Sequence, residues 1–185
     1  MVVFSIFLSI MISSIYGLTK SATSIQVNGV SANQELAVFQ RLDRQIRYAD
    51  GINAQGVGSS GYTYIEFRTP SDSTASGVTT CTQWRYDPTL RTVASRTWPD
   101  GNLGAATVWN VQLTNVYNDG GANYPFAFIA ASSSGSQLQQ MRLTLDAGNT
   151  RIKGATISSN FVARNSKASP TNPAGAVCPA AGSRQ

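Results

Sequence analysis

Two cysteines, Cys81 and Cys178, are the only thiols in a chain of 185 residues that contains no histidine. Two chemistries are open to them. In an oxidising compartment they would pair, closing a loop of roughly 100 residues whose chain-entropy value is up to about 4.7 kcal/mol and pinning the C-terminal tail to a strand. In a reducing compartment they would stay as free thiols. Redox catalysis finds no Cys-x-x-Cys spacing to use. The missing histidine excludes a Ser-His-Asp triad, a Cys-His pair and a histidine-ligated zinc.

The carboxylates are the next candidates. Glu66, Asp72, Asp87, Asp100, Asp119 and Asp146 all fall in the second half of the pattern described below, yet no spacing singles out a pair for acid–base hydrolysis. The segments Asp119-Gly-Gly-Ala-Asn123 and Asp146-Ala-Gly-Asn149 place oxygens on tight turns. Calcium needs six to eight of them, and Asp-Gly sequences serve turns in any case, so turns are the favoured reading and no cofactor is expected. Trp84, Tyr86, Trp98, Trp109, Tyr117 and Tyr124, interleaved with Arg85, Arg91 and Arg96, could stack a sugar or a base. More often such residues form the core and cross-strand pairs of a small sheet.

The formal charge is +5, from 14 Lys and Arg against 9 Asp and Glu. Its distribution argues against nucleic acid as a partner: the basic residues are scattered, and only Arg41, Arg44 and Arg47 form a ridge at helical spacing. Charged residues make up 12% of the chain, about half the usual share. Polarity comes instead from Ser, Thr, Asn, Gln and Gly.

These residues must be held by two very different kinds of sequence. Residues 1–18, MVVFSIFLSIMISSIYGL, carry no charge and as a helix would span about 27 Å, close to the hydrocarbon thickness of a bilayer. Within them Ser5, Ser9, Ser13 and Gly17 recur every fourth position and would line one stripe, which either lets another helix approach closely or is simply tolerated in an apolar helix. No basic residue precedes Lys20, unlike the n-region of a secretory signal. Apolar residues continue at helical spacing through Ala32, Leu36, Phe39, Leu42, Ile46 and Ala49, so one helix is expected as far as Asp50-Gly51, with gentle bends at Gly17 and Gly29.

Beyond Gly51, turn-forming clusters alternate with β-branched and aromatic runs. Strands are expected at 62–68, 79–86, 91–98, 107–116, 126–130, 138–145 and 155–163. Trp109, Val111 and Leu113 alternate with polar residues, as do Met141, Leu143 and Leu145, giving each strand one dry face. Residues 86–90 read as a hairpin turn and 118–121 as another, while Gly56, Gly58 and Gly61 read as a flexible connection. The expected fold class is therefore α+β. A long N-terminal helix, membrane-embedded over 1–18 and amphipathic over 19–50, packs on an antiparallel β-sheet domain over 51–165. An extended Pro/Ala/Gly tail follows over 166–185.

The opening MVVFSIFLSIMISSIYGLTKSATSIQ resembles the N-terminal helix of the type IV pilin and type II secretion pseudopilin superfamily. The CTQWRYDPTLRTVASRTW hairpin and the SSNFVARNS segment resemble the J-type minor pseudopilins, the prepilin-type cleavage and methylation proteins. The family's short basic leader ending in Gly, followed by Phe or Met and an early Glu, does not occur here. The resemblance thus enters the helix part-way along, as a truncated start would, and offers a prepilin peptidase nothing to cut.

The resemblance implies a pilin-like fold and a non-enzymatic minor subunit, held in the inner membrane by a single pass with its globular domain on the extracytoplasmic side or in a cell-surface filament. Its implied partners are other pilin or pseudopilin subunits, an inner-membrane assembly platform, and membrane lipid before assembly. Ser5, Ser9, Ser13 and Gly17 are the expected contact surface. The competing expectation is an exported β-rich binding module or adhesin whose apolar start is a signal or anchor, separated from the domain near Ser21 to Ser24. An exported enzyme is a third reading, resting on the unpaired carboxylates.

Overall fold

In a computed structural model, which describes residues 2–117, 124–131, 135–148, 156–166, 177–179 and 182–185, the chain is one helix followed by strands. Helix α1, Val2–Arg47, is continuous over 46 residues, about 69 Å at 1.5 Å per residue. Nothing in its sequence breaks it, since the first proline is Pro70. Arg44 and Arg47 in its last turn complement the negative end of the helix dipole.

Nine strands are described: β1 Gly51–Ile52, β2 Gly56–Val57, β3 Thr63–Thr69, β4 Thr80–Asp87, β5 Thr92–Pro99, β6 Asn110–Leu113, β7 Phe126–Ile129, β8 Gln140–Asp146 and β9 Thr156–Val162. The α+β class stands, with every described pairing antiparallel. The single expected sheet is instead two. One has the order β1-β3-β4-β5-β6, with β2 also on β3, and the other is β7-β8-β9. A bridge between Val116 and Ala147 links the segments that leave them. All seven expected strands form, but β6 is shorter than 107–116. The short β1 and β2 were not expected, because two-residue strands have no periodicity to read.

The core lies between the second half of α1 and the two sheets. Leu42 and Ile46 are fully buried, with Val38, Phe39 and Ala49 beside them, against Ile65, Phe67, Trp84, Val93, Met141, Leu143 and Leu145. Trp84 adds a polar tie, its indole N–H donating to Gln45 Oε1 at 3.1 Å. We expect Ile46→Val to lower unfolding stability by about 1 kcal/mol, measured by urea denaturation. Leu36→Ala, on the opposite side of the helix, should stay within about 0.5 kcal/mol.

Three sequence expectations need correction. Leu36 is 54% exposed and Val111 is 54% exposed, so neither lies on a dry face. Leu36 gives way because Glu35, one position away, takes the inward place. Val111 is turned out by a register shift between Val93 and Ala94, where β5 meets β6. Residues 56–61 are an ordered hairpin: β2 pairs with β3, and Gly61, at φ +80°, donates its N–H to the Gly58 carbonyl at 3.0 Å. The turn expected at 118–121 lies outside the described residues.

Glu35 is only 1% exposed, and one carboxylate oxygen accepts the Ala147 N–H at 2.6 Å. Burial raises its pKa from 4.5 to about 7; the Ala147 hydrogen bond works against this and the nearby Asp146 charge adds to it. Between these values the folded chain holds a proton that the unfolded chain has released. Stability should therefore fall as pH rises from about 4.5 to 7, and stay at its reduced level above that. Glu35→Gln should flatten that slope and be more stable than the parent at pH 8, compared by denaturant midpoints across the range.

Candidate functional site

The apolar end of α1 has no partner among the described residues. Val3, Phe4, Ile6, Phe7, Ile10, Ile12, Ile15, Tyr16 and Leu18 are all exposed. This is the one described helix long and apolar enough to cross a membrane, and none of its most apolar stretch is buried. A core helix of the same composition would be mostly covered. A helix apolar all round calls for an apolar surrounding.

Four hydroxyls along this stretch are already satisfied within the helix. Ser9 Oγ donates to the Ser5 carbonyl at 2.9 Å, Ser13 to Ser9 at 2.8 Å, Ser14 to Ile10 at 2.9 Å and Thr19 to Ile15 at 2.9 Å. Turned back onto the fourth preceding carbonyl, they add polarity to the sequence without presenting an unmet donor to an apolar medium. Ser5, Ser9, Ser13 and Gly17 are all exposed, and a Cβ built on Gly17 would meet nothing within 4 Å. The stripe is open.

The described part of the tail, 177–179 and 182–185, does not simply extend. It turns at Gly182, φ +80°, and lies on the outer face of the larger sheet. A disulfide joins Cys178 to Cys81 on β4, with Cα atoms 5.9 Å apart, and Trp98 packs over it. Asp100 brings a carboxylate close to both sulfurs. With the sulfurs joined, no thiolate is left there for a metal.

Asn53, fully buried, donates to the Cys178 carbonyl at 2.8 Å and accepts the Val177 N–H at 3.3 Å. Arg184 reaches Glu66 with two nitrogens, Nε at 2.9 Å and a terminal nitrogen at 2.5 Å, and also donates to the Ala54 carbonyl at 2.7 Å. Gln83 bridges Glu66 and the Ser183 carbonyl, and Tyr64 and Ser60 donate to the Gln185 carbonyl. A Cβ on Gly56 would collide with the Arg184 guanidinium. Glycine there serves the close approach of the tail.

Among the described residues, Asp50, Asp87, Asp100 and Asp146 are likewise engaged in the fold. Asp87 caps the β4–β5 hairpin by accepting the N–H groups of Thr89 and Leu90 at 2.8 and 2.9 Å. Asp50 and Asp100 both pair with Arg68, whose pKa rises mainly through the Asp50 hydrogen bonds. Asp146 is buried at the end of β8, where Thr156 Oγ1 donates to it at 3.3 Å. Asp72 sits on an exposed turn beside Ser73. Asp119, Asn123 and Asn149, three of the four oxygen ligands considered for calcium, lie outside the described residues.

Of the aromatics, Trp84, Tyr86 and Tyr124 belong to the main core and Trp98 to the cluster around the disulfide, while Trp109 and Tyr117 are half-buried. The ridge of Arg41, Arg44 and Arg47 is partly used internally, Arg41 binding Gln112 and Arg47 binding Asp43. Sequence reasoning missed Glu66 and Arg184 as a pair. Their separation of 118 residues leaves no local signal.

Comparison with family models, curated proteins and solved structures finds no match to this chain. The physical arrangement alone carries the functional reading.

Proposed function

We propose that this chain is a non-enzymatic minor pilin or pseudopilin subunit, anchored by the apolar end of α1 in the inner membrane with its globular domain outside. That end then packs against equivalent helices in a type IV pilus-like or type II secretion-like filament. The observation that carries the reading is continuity. A single helix holds the fully exposed apolar segment at one end and the core-forming Leu42 and Ile46 at the other, with no break near Ser21 to Ser24. A discarded signal peptide has no need of such coupling.

Moving from bilayer to filament would exchange lipid contacts for side-chain packing, which small residues favour by letting helices approach. The Ser5, Ser9, Ser13 and Gly17 stripe is the proposed contact line. Cysteines placed at Ser9 or Ser13 in the oxidised protein should cross-link subunits in native membranes more strongly than cysteines at Phe7 or Met11. Equal or absent cross-linking at all four positions would reject this contact line. The filament reading would fall if the native protein proved to be a soluble monomer lacking the apolar segment.

A further inference from the structure

The outer face of the larger sheet carries a row of side chains that the helix does not use and that ends at Trp98 beside the disulfide. Ring and cation alternate along it: Tyr62, Arg85, Trp109, Arg96, Trp98. The Arg85 guanidinium carbon lies 5.0 Å from the Tyr62 ring centre and 4.1 Å from that of Trp109. That of Arg96 lies 4.4 Å from Trp109 and 5.5 Å from Trp98. Strand register produces the row. Arg85 pairs with Ala94 and Arg96 with Gln83, which sets the two arginines diagonally on one face of β4 and β5.

The two guanidiniums are held differently. Arg96 donates to Gln83 Oε1 and to the Ser183 carbonyl, each at 2.8 Å. Arg85 donates to no described residue and pairs with no described carboxylate. Its Nε is enclosed without an acceptor, so ring faces rather than hydrogen bonds fix its plane. Arg184 already occupies Glu66, and Asp50 and Asp100 are committed to Arg68, so none of these side-chain carboxylates is paired with Arg85. Burial first, and then the neighbouring Arg85 charge, pull the Arg96 guanidinium below the usual arginine range.

A planar fork of donors, oriented by stacking and paired with no described side-chain carboxylate, matches the two oxygens of an oxyanion. We propose that Arg85, supported by Arg96 and oriented by Tyr62 and Trp109, is the centre of a binding site for an oxyanion, either a carboxylate or a phosphate group. The inference is independent of the filament reading, since the site lies on the sheet and uses no residue of α1.

The test uses the oxidised full chain, titrated with inorganic phosphate or with glucuronate at matched ionic strength and followed by tryptophan fluorescence, which Trp109 would report. A saturable change is expected. Arg85→Gln should weaken it at least about tenfold, and Arg85→Lys, which keeps the charge but not the fork, several-fold. Arg142→Gln, on the smaller sheet, should bind as the parent does. Saturation by phosphate alone assigns a phosphoryl ligand, by glucuronate alone a carboxylate, and by both a general oxyanion site. Lack of saturation with either probe, or undiminished binding by folded Arg85→Gln, would overturn the proposal. Should Arg85→Gln fail to fold, the Arg85 Nε–H resonance of the parent provides the second reading. A shift on titration supports the site, and an unmoved signal refutes it.

Discussion

Replacing Cys81 and Cys178 together by serine is expected to remove about a third or more of the stability of the globular part. The bridge closes a loop of 97 residues, and in the chain-entropy account its loss costs about 4.7 kcal/mol. Whole domains are stable by only about 5–15 kcal/mol. The bridge also seats Trp98, 3% exposed, against Leu103 and Ala106. Unfolding midpoints of oxidised protein, reduced protein and the double-serine variant should fall into two classes, the last two together, with a red shift of tryptophan emission in both. A reduced protein that melts with the oxidised one would show that the tail contributes nothing through this link.

Arg184→Ala is the second large effect. Its guanidinium meets a Glu66 carboxylate that is fully buried, so truncation leaves a charge without its main partner while Gln83 and Asn53 supply only neutral donors. Breaking a buried pair from one side costs about 3–5 kcal/mol. Replacing both residues by leucine removes the stranded charge and should recover much of that loss. Chemical denaturation of Arg184→Leu, Glu66→Leu and the double variant, all with the disulfide intact, measures the coupling. A loss below about 1 kcal/mol in Arg184→Ala would mean that solvent reaches Glu66 once the tail residue is shortened.

What the sequence made legible is whatever has a short period. The 3.6-residue rhythm from Phe39 to Ile46 and the two-residue rhythm of Met141, Leu143 and Leu145 both name the buried side chains correctly. The strand series and the hairpin capped by Asp87 follow from equally local signals. Long-range features behave otherwise. The division into two sheets depends on how β7, β8 and β9 pair among themselves, and Val111 turns outward because of a register shift that composition does not encode. Glu35 occupies a core position that its residue type argues against, because the Ala147 N–H meets it there. The tail was the least legible part. Its low-complexity composition suggested an extended segment, whereas Asn53, Glu66 and Gln83 offer it polar partners from more than 90 residues away.

The pKa of Glu35 and the exposure of the stripe bear on different events. The first concerns how α1 sits on its own sheets, and the second concerns what surrounds the other end of the same helix. The second depends on α1 being retained whole in the working protein. Mass spectrometry of the N-terminal peptide of the native protein, taken from its own cells, tests that directly. The filament account predicts a mature N-terminus that keeps the apolar segment through Leu18, beginning upstream of it at an N-methylated residue. A mature N-terminus between Ser21 and Gln26 would contradict it, because the segment would then be a discarded signal and the exported binding module would take its place.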